Sequence, residues 1–191
     1  MTRELVWTGF VSVDGVMDSP GGTSEGHSYG GWVFRTEFDE NAFSIKAEEL
    51  HDTTALLFGR RSYEAFAPFW SQSEDHAAYQ DLPKYVLSTT LETEALVDGW
   101  GPTSILRSID DVAALKQTEG GGIFIHGSGE LARSLADAGL IDRYNLLVFP
   151  LLLGAGKSIF SRSREGEHRL ALRESAAYDN GVMKVVYDVV R

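Results

Sequence analysis

Three stretches of the sequence set glycine, hydroxyl or cationic side chains where an apolar run gives way to a helical pattern or a loop, and each suits an anion. The first is Ile123-Phe124-Ile125-His126-Gly127-Ser128-Gly129-Glu130-Leu131-Ala132, a G-x-G-x-x-A. Glycines at such a junction let backbone N–H groups approach a pyrophosphate at the helix N-terminus, whose partial positive charge favours the anion. A tight strand-to-helix turn uses the same glycines, so the motif alone decides little. The second, Leu57-Phe58-Gly59-Arg60-Arg61-Ser62-Tyr63, puts two guanidiniums and a hydroxyl into a first helical turn. Cations oppose the helix dipole there, and an anion bound between them removes the conflict; two solvated arginines are the plainer alternative. The third, Leu87-Ser88-Thr89-Thr90, offers hydroxyls to a ribose 2′-phosphate, although Ser and Thr end strands for many reasons.

Other chemistry is excluded by what the chain lacks. There is no cysteine, which removes disulfides, thiolate zinc sites and Cys nucleophiles together. The histidines stand at 27, 51, 76, 126 and 168, and no two share the i, i+4 spacing of a helical metal pair, so no metal is expected. His126 ends an apolar run and reads as a hydrogen-bonded core residue. Leu153-Gly154-Ala155-Gly156-Lys157-Ser158 ends like a Walker A loop, but Leu151 fills the first glycine position and Pro150 precedes it, which leaves a glycine turn. A net charge of −11 argues against binding a phosphate backbone, so no nucleic-acid partner is expected. The longest apolar run, Leu146 to Leu153, is interrupted by Pro150 and is far short of the roughly 20 residues of a membrane helix. The N-terminus carries no basic-then-apolar leader, and the chain reads as soluble and cytoplasmic, without a membrane partner.

These junctions need elements to hold them. Leu5 to Val13 is β-rich, and the Gly/Ser/Pro-rich stretch from Asp14 to Gly31 is too long for an ordinary connection, which marks a functional loop. Phe38 to Leu50 has helical period; Ala55 to Phe58 reads as a short strand that runs into a helix through Phe66. Lys84 to Ser88, Thr103 to Leu106 and Gly122 to His126 read as strands, Asp110 to Gln117 and Glu130 to Ala138 as helices, and Ile141 to Leu153 as strand. Leu170 to Tyr178 and Val182 to Val190 flank Asn180-Gly181, a hairpin signal. Alternating strands and helices predict one α/β domain over residues 1–191, with a mostly parallel sheet and an antiparallel hairpin at one edge.

The motifs then join into a pattern. Phe10-Val11-Ser12-Val13-Asp14-Gly15-Val16-Met17, Gly30-Gly31-Trp32, Gly59-Arg60-Arg61-Ser62-Tyr63-Glu64, Gly127-Ser128-Gly129-Glu130-Leu131, Gly139-Leu140-Ile141-Asp142 and Pro150-Leu151-Leu152-Leu153-Gly154-Ala155-Gly156 occur in order over nearly the whole chain. Together they resemble the dihydrofolate-reductase-like family, in the branch typified by the reductase domain of the riboflavin-pathway deaminase-reductase. No deaminase-type zinc motif is present, so only the reductase half is represented.

The resemblance implies a three-layer α/β fold whose central, mostly parallel mixed sheet is flanked by helices, closed by a C-terminal antiparallel hairpin, and crossed at its strand ends by NADPH. It implies that Gly59, Arg60, Arg61 and Ser62 bind the cofactor phosphates and that Arg61, with Ser88 and Thr89 after Leu87, faces the 2′-phosphate. Gly127, Ser128, Gly129, Glu130 and Leu131 form the second pyrophosphate turn, and Val16 and Met17 cover the nicotinamide. The candidate acids are Asp14, which matches the branch's Ser-x-Asp-Gly but also begins an ordinary turn, and Asp39, which sits where a folate enzyme carries its substrate acid but also precedes a helix as an N-cap. Trp32, Phe66 and Trp70 offer faces to a planar substrate, or serve as core. The implied activity is hydride transfer from NADPH to a C=O or C=N carbon of a small, pterin-like or ribosylamino-pyrimidine-like substrate; the alternative is an NADP(H)-binding protein without turnover. A homodimer is implied by the same likeness.

Overall fold

The first strand, β1 (Leu5–Ser12), is apolar on both faces, a pattern that demands cover on both sides of a sheet. A computed structural model describes residues 2–23, 26–160 and 168–191 of the chain and shows that cover. After β1 come α1 (Glu40–Asp52), β2 (Thr53–Gly59), α2 (Arg60–Trp70), β3 (Lys84–Leu87), β4 (Thr103–Leu106), α3 (Ile109–Lys116), β5 (Gly122–His126), α4 (Gly129–Asp137), β6 (Arg143–Phe149), β7 (Leu170–Ala177) and β8 (Met183–Val189). Leu5, Trp7, Leu57 and Ile125 pack under Val112 of α3 and Leu131 and Leu135 of α4. On the other face Val6, Phe58 and Phe124 meet Tyr63 and Ala67 of α2, while Ala42 and Ile45 of α1 meet Leu147 and Phe149. The result is the three-layer α/β architecture.

Among the described residues the sheet has eight strands in the order β4-β3-β2-β5-β1-β6-β8-β7. β1 to β6 pair in parallel, and β8 runs antiparallel to both β6 and β7, so the antiparallel strands lie at one edge as the Asn180-Gly181 signal predicts. The chain builds outward from β1 through β2, β3 and β4 and then returns to insert β5 between β2 and β1. This return brings the carboxyl ends of β2 and β5 side by side, with Leu57 opposite Ile125. Ligands of open α/β sheets bind at such reversals.

Two boundaries differ from the sequence reading. β6 stops at Phe149 rather than continuing to Leu153, because Pro150 has no N–H to give the ladder and Leu151 turns back onto the Phe149 carbonyl (2.7 Å). α2 runs past Phe66 to Trp70, so these two rings stack one turn apart, with centroids 4.9 Å apart and planes 2° from parallel.

Asp39 starts α1 as its N-cap, its carboxylate accepting from the Asn41 (2.9 Å) and Ala42 (3.4 Å) backbone N–H groups. Asp39→Ala is therefore expected to lower the unfolding free energy by about 0.5–2 kcal/mol. Asp39→Asn, which keeps an acceptor at the cap, should retain most of it. Urea unfolding of both variants measures the difference, and equal stability in all three proteins would remove the cap from the account.

Candidate active site

Neither α2 nor α4 has its N-terminus closed by a side-chain cap: Gly59 precedes α2, and Ser128, left-handed at φ 54, precedes α4. The two turns tie to each other instead. The Gly59 N–H donates to Ser128 Oγ (3.0 Å), and the Ser128 N–H donates to Ser62 Oγ (3.0 Å). Gly127 completes the turn at φ +62, its carbonyl accepting from Trp7 Nε1 (2.6 Å), and a Cβ there would stand 3.3 Å from the Phe66 ring. Because both hydroxyls bridge the turns, the first-turn N–H groups of two neighbouring helices remain for an anion.

These helix starts border a groove of about 1160 Å³. Gly59, Arg60, Arg61 and Ser62 line one wall, Ser128, Gly129, Glu130 and Leu131 another, Leu87, Ser88 and Thr89 the far end, and Met17 the near end. Gly129 permits the approach of Met17, since a Cβ there would stand 2.6 Å from the methionine sulfur. Two expected residues stand apart: Gly127 opens onto the neighbouring cavity, and Val16 lines neither space. Val16 is buried and bridged to Ser158, with its N–H on Ser12 Oγ (2.9 Å), which makes it a fastening of the loop.

The arginines divide differently from the sequence reading. Arg61 turns toward α4, 4.0 Å from Glu130. The guanidiniums at the Ser88 to Thr90 end belong to Arg60, which donates to Thr90 Oγ1 (2.8 Å), and to Arg107, which donates to the Ser88 carbonyl (2.9 Å). Arg107 is a residue the motifs missed. Its signal was available, because it directly follows the Thr103–Leu106 strand and strand ends are where this fold collects ligands.

Beside the groove, and sharing Met17, Ser62, Phe66 and Ser128 with it, lies a cavity of about 500 Å³. Its walls include Trp7, Phe10, Phe43, Phe66, Trp70 and Tyr79, with Thr8, Lys46, Asp75, His76 and His126 as polar groups. Trp32 takes no part: it is fully buried, edge-on to Phe149. His126 is not the hydrogen-bonded core residue expected, since its buried Nε2 has no partner among the described residues. Burial first, then the nearby Lys46 and His76, hold its pKa well below the usual imidazole range. Burial also lowers His76, against the opposing charge of Asp75.

Neither candidate acid lines the cavity. Asp39 is the α1 cap. Asp14 accepts from Ser12 Oγ (2.6 Å) and the Gly154 (2.7 Å) and Leu153 (3.2 Å) N–H groups, and these donors, Ser12 foremost, bring its pKa down to about 2. An acid held ionised in this way latches the loop after β1 to the segment after β6. The buried acid that sequence reasoning missed is Glu49, which accepts from Thr8 Oγ1 (2.6 Å), Lys46 Nζ (3.2 Å) and Asn145 Nδ2 (2.7 Å) behind the cavity wall. Its signal was a carboxylate on the stripe of α1 that buries Ala42 and Ile45. The described residues hold no cluster fit for a metal ion, and no helix among them is long and apolar enough to cross a membrane.

With this geometry in place, comparison with known proteins gives consistent likenesses. The model of the RibD C-terminal domain family matches residues 3–184. The uncharacterized protein YyaP of Bacillus subtilis (strain 168) is 25% identical over 145 residues, 72% of this chain and 75% of that protein. The crystal structure of a putative riboflavin biosynthesis protein from Shewanella sp. PV-4 aligns over 100% of both chains with a TM-score of 0.76 at 19% identity. Dihydrofolate reductase from Enterococcus faecalis, complexed with NADP(H) and RAB-propyl, aligns over 100% of both chains at 0.64 and 13% identity. The diaminohydroxyphosphoribosylaminopyrimidine deaminase/5-amino-6-(5-phosphoribosylamino)uracil reductase of Thermotoga maritima aligns at 0.65 and 11% identity, over 99% of this chain and 57% of that one. The fold is the dihydrofolate-reductase-like one.

The Asp14 latch has a pH signature. A carboxylate whose pKa falls from 3.8 to about 2 on folding adds stability that is fully present above about pH 4 and is lost as pH falls toward 2. Asp14→Asn should be less stable than the parent at pH 6, and the gap should close between pH 4 and pH 2. Denaturant unfolding across that range tests it; a gap that stays constant with pH would show that the charge contributes nothing.

Proposed function

The chain belongs to the RibD C-terminal domain family, and we propose that it is an NADPH-dependent reductase acting on a C=O or C=N carbon of a small planar substrate, heterocyclic and pterin-like or ribosylamino-pyrimidine-like in kind. The observation that carries this reading is the pair of mutually tied, side-chain-uncapped helix starts that open onto one groove, with an aromatic cavity adjoining it at Met17. A dinucleotide needs both spaces in contact: an anion cradle for its phosphates, and a dry cavity where its reactive ring meets a substrate.

The residues fit that group. Backbone N–H groups at the starts of α2 and α4, with Arg61, suit a pyrophosphate. Arg60 and Arg107, beside the Ser88, Thr89 and Thr90 hydroxyls, suit a 2′-phosphate. Met17, common to groove and cavity, suits the nicotinamide end. When bound, NADPH supplies a hydride; the chain supplies position and exclusion of water. Phe66 and Trp70, already stacked in the cavity wall, offer a flat face to the substrate ring. With Asp14 held ionised outside the cavity and Asp39 spent on a cap, water is the proton source in this reading, and neither carboxylate is assigned to the chemistry.

The expected outcome is tighter binding of NADPH than of NADH by calorimetry. Arg60→Ala should shrink the preference by about 1.5–3 kcal/mol, the worth of a charge-assisted hydrogen bond, while Arg61→Ala should weaken both cofactors alike. Equal affinities in the parent would remove the 2′-phosphate assignment. NADPH oxidation followed with pterins, ribosylamino-pyrimidines, quinones and aldehydes separates a reductase from a protein that binds NADP(H) without turnover.

A further inference from the structure

Of the polar side chains that line the cavity, Lys46 is the one that can only donate. Lys46 spends two of its three ammonium protons on Thr8 Oγ1 and Glu49, and the described residues give no third acceptor. Its side chain keeps 25% of its surface open, against 3% for Glu49, so the cation of this pair meets the cavity and the anion lies behind it. Glu49 is saturated by Thr8, Lys46 and Asn145 and has little left to offer a ligand. His126, in the same wall, is nine-tenths buried with Nε2 unpartnered, a polar group whose desolvation nothing in the described chain offsets. The acid that does line the cavity, Asp75, is exposed on the 3-10 turn Glu74–Tyr79, at the solvent end.

From this asymmetry we propose that Lys46 is the specificity-determining group of the cavity, reading a ring that presents carbonyl or oxyanion oxygens rather than one that presents amino or amidinium donors. The inference rests on the cavity being the substrate side of the reductase reading and adds to it the sign of the recognised edge. Acceptor oxygens take the free ammonium proton of Lys46, whereas a diaminopyrimidine edge sets donor against donor and leaves polar groups unpaired, a mismatch that discriminates strongly.

Two bicyclic probes of similar size test it by calorimetry on the full chain. 2-Hydroxy-1,4-naphthoquinone carries an acceptor edge; 2,4-diaminoquinazoline carries a donor edge. The naphthoquinone is expected to bind at least tenfold more tightly, and Lys46→Met should weaken it at least tenfold while NADPH affinity stays at the parent value. Because Lys46→Met strands the Glu49 charge, the double variant K46M/E49Q is measured beside it and should show the same loss. Quinazoline binding as tight as the quinone, no quinone binding, or quinone binding unchanged in a folded variant overturns the proposal. The comparison of probes on the parent needs no variant. NADPH failing to bind while the quinone preference persists would sink the reductase reading and leave the cavity's chemistry standing.

Discussion

The reciprocal tie between the turn at Gly59 to Ser62 and the turn at Ser128 is the constraint on which the rest of the site depends. Two helix starts that border one groove set partial positive charges side by side, and their open N–H groups carry a desolvation cost when buried. Crossing the hydroxyls between the turns satisfies one backbone donor at each, Gly59 and Ser128, and fixes the spacing of the rest. The tie is possible because β5 is inserted beside β2, which makes residues 66 positions apart into neighbours. A fold in which β5 followed β4 at the sheet edge would keep both glycine motifs and lose the cradle.

Electrostatics show the same local design against a contrary background. The chain carries a net charge of −11, yet Arg60, Arg61 and Arg107 gather at one groove. Their present partners are weak holders: Arg60 pairs with Glu64 one helical turn on, and Arg61 stands 4.0 Å from Glu130 with both side chains largely exposed. Exposed pairs of this kind are typically worth about 0–1 kcal/mol, so a phosphate displaces them at little cost. The acidic surface elsewhere discourages extended polyanions, which need a continuous cationic face, and leaves the groove for a small one.

What the sequence made legible follows from the range of the interactions. Strand-glycine-helix junctions are local, and Gly59 to Ser62 and Gly127 to Leu131 could be read before their neighbours were known. Asn180-Gly181 likewise announced its hairpin. The placing of the arginines was not legible, because it depends on which guanidinium reaches across to β3 and β4, a matter of helix rotation that spacing does not contain. The partners of Asp14 were out of reach for the same reason, since the Leu153 and Gly154 amides that hold it lie some 140 positions away. Val16 was placed by pattern beside Met17, but neighbouring residues of an extended loop point opposite ways, and only Met17 reaches the groove.

Glu49 shows why a rule broken in the sequence repays attention. An acid on the buried stripe of α1 costs several kcal/mol unless its charge is met by donors, and here three meet it. Two of those donors, Thr8 of β1 and Asn145 of β6, are register partners on adjacent strands, so the carboxylate sits over one cross-strand pair. Sliding α1 by a residue would leave the carboxylate and both sheet groups unpaired, a penalty no apolar contact on that face can impose. The buried acid thus fixes the register of α1 against the sheet, and with it the position of Lys46, whose ammonium the same carboxylate holds at the cavity wall. A hydrophobic residue at position 49 would pack as well and fix less. The polar core and the recognition edge of the cavity are in this sense one device, built on the one helix that touches both.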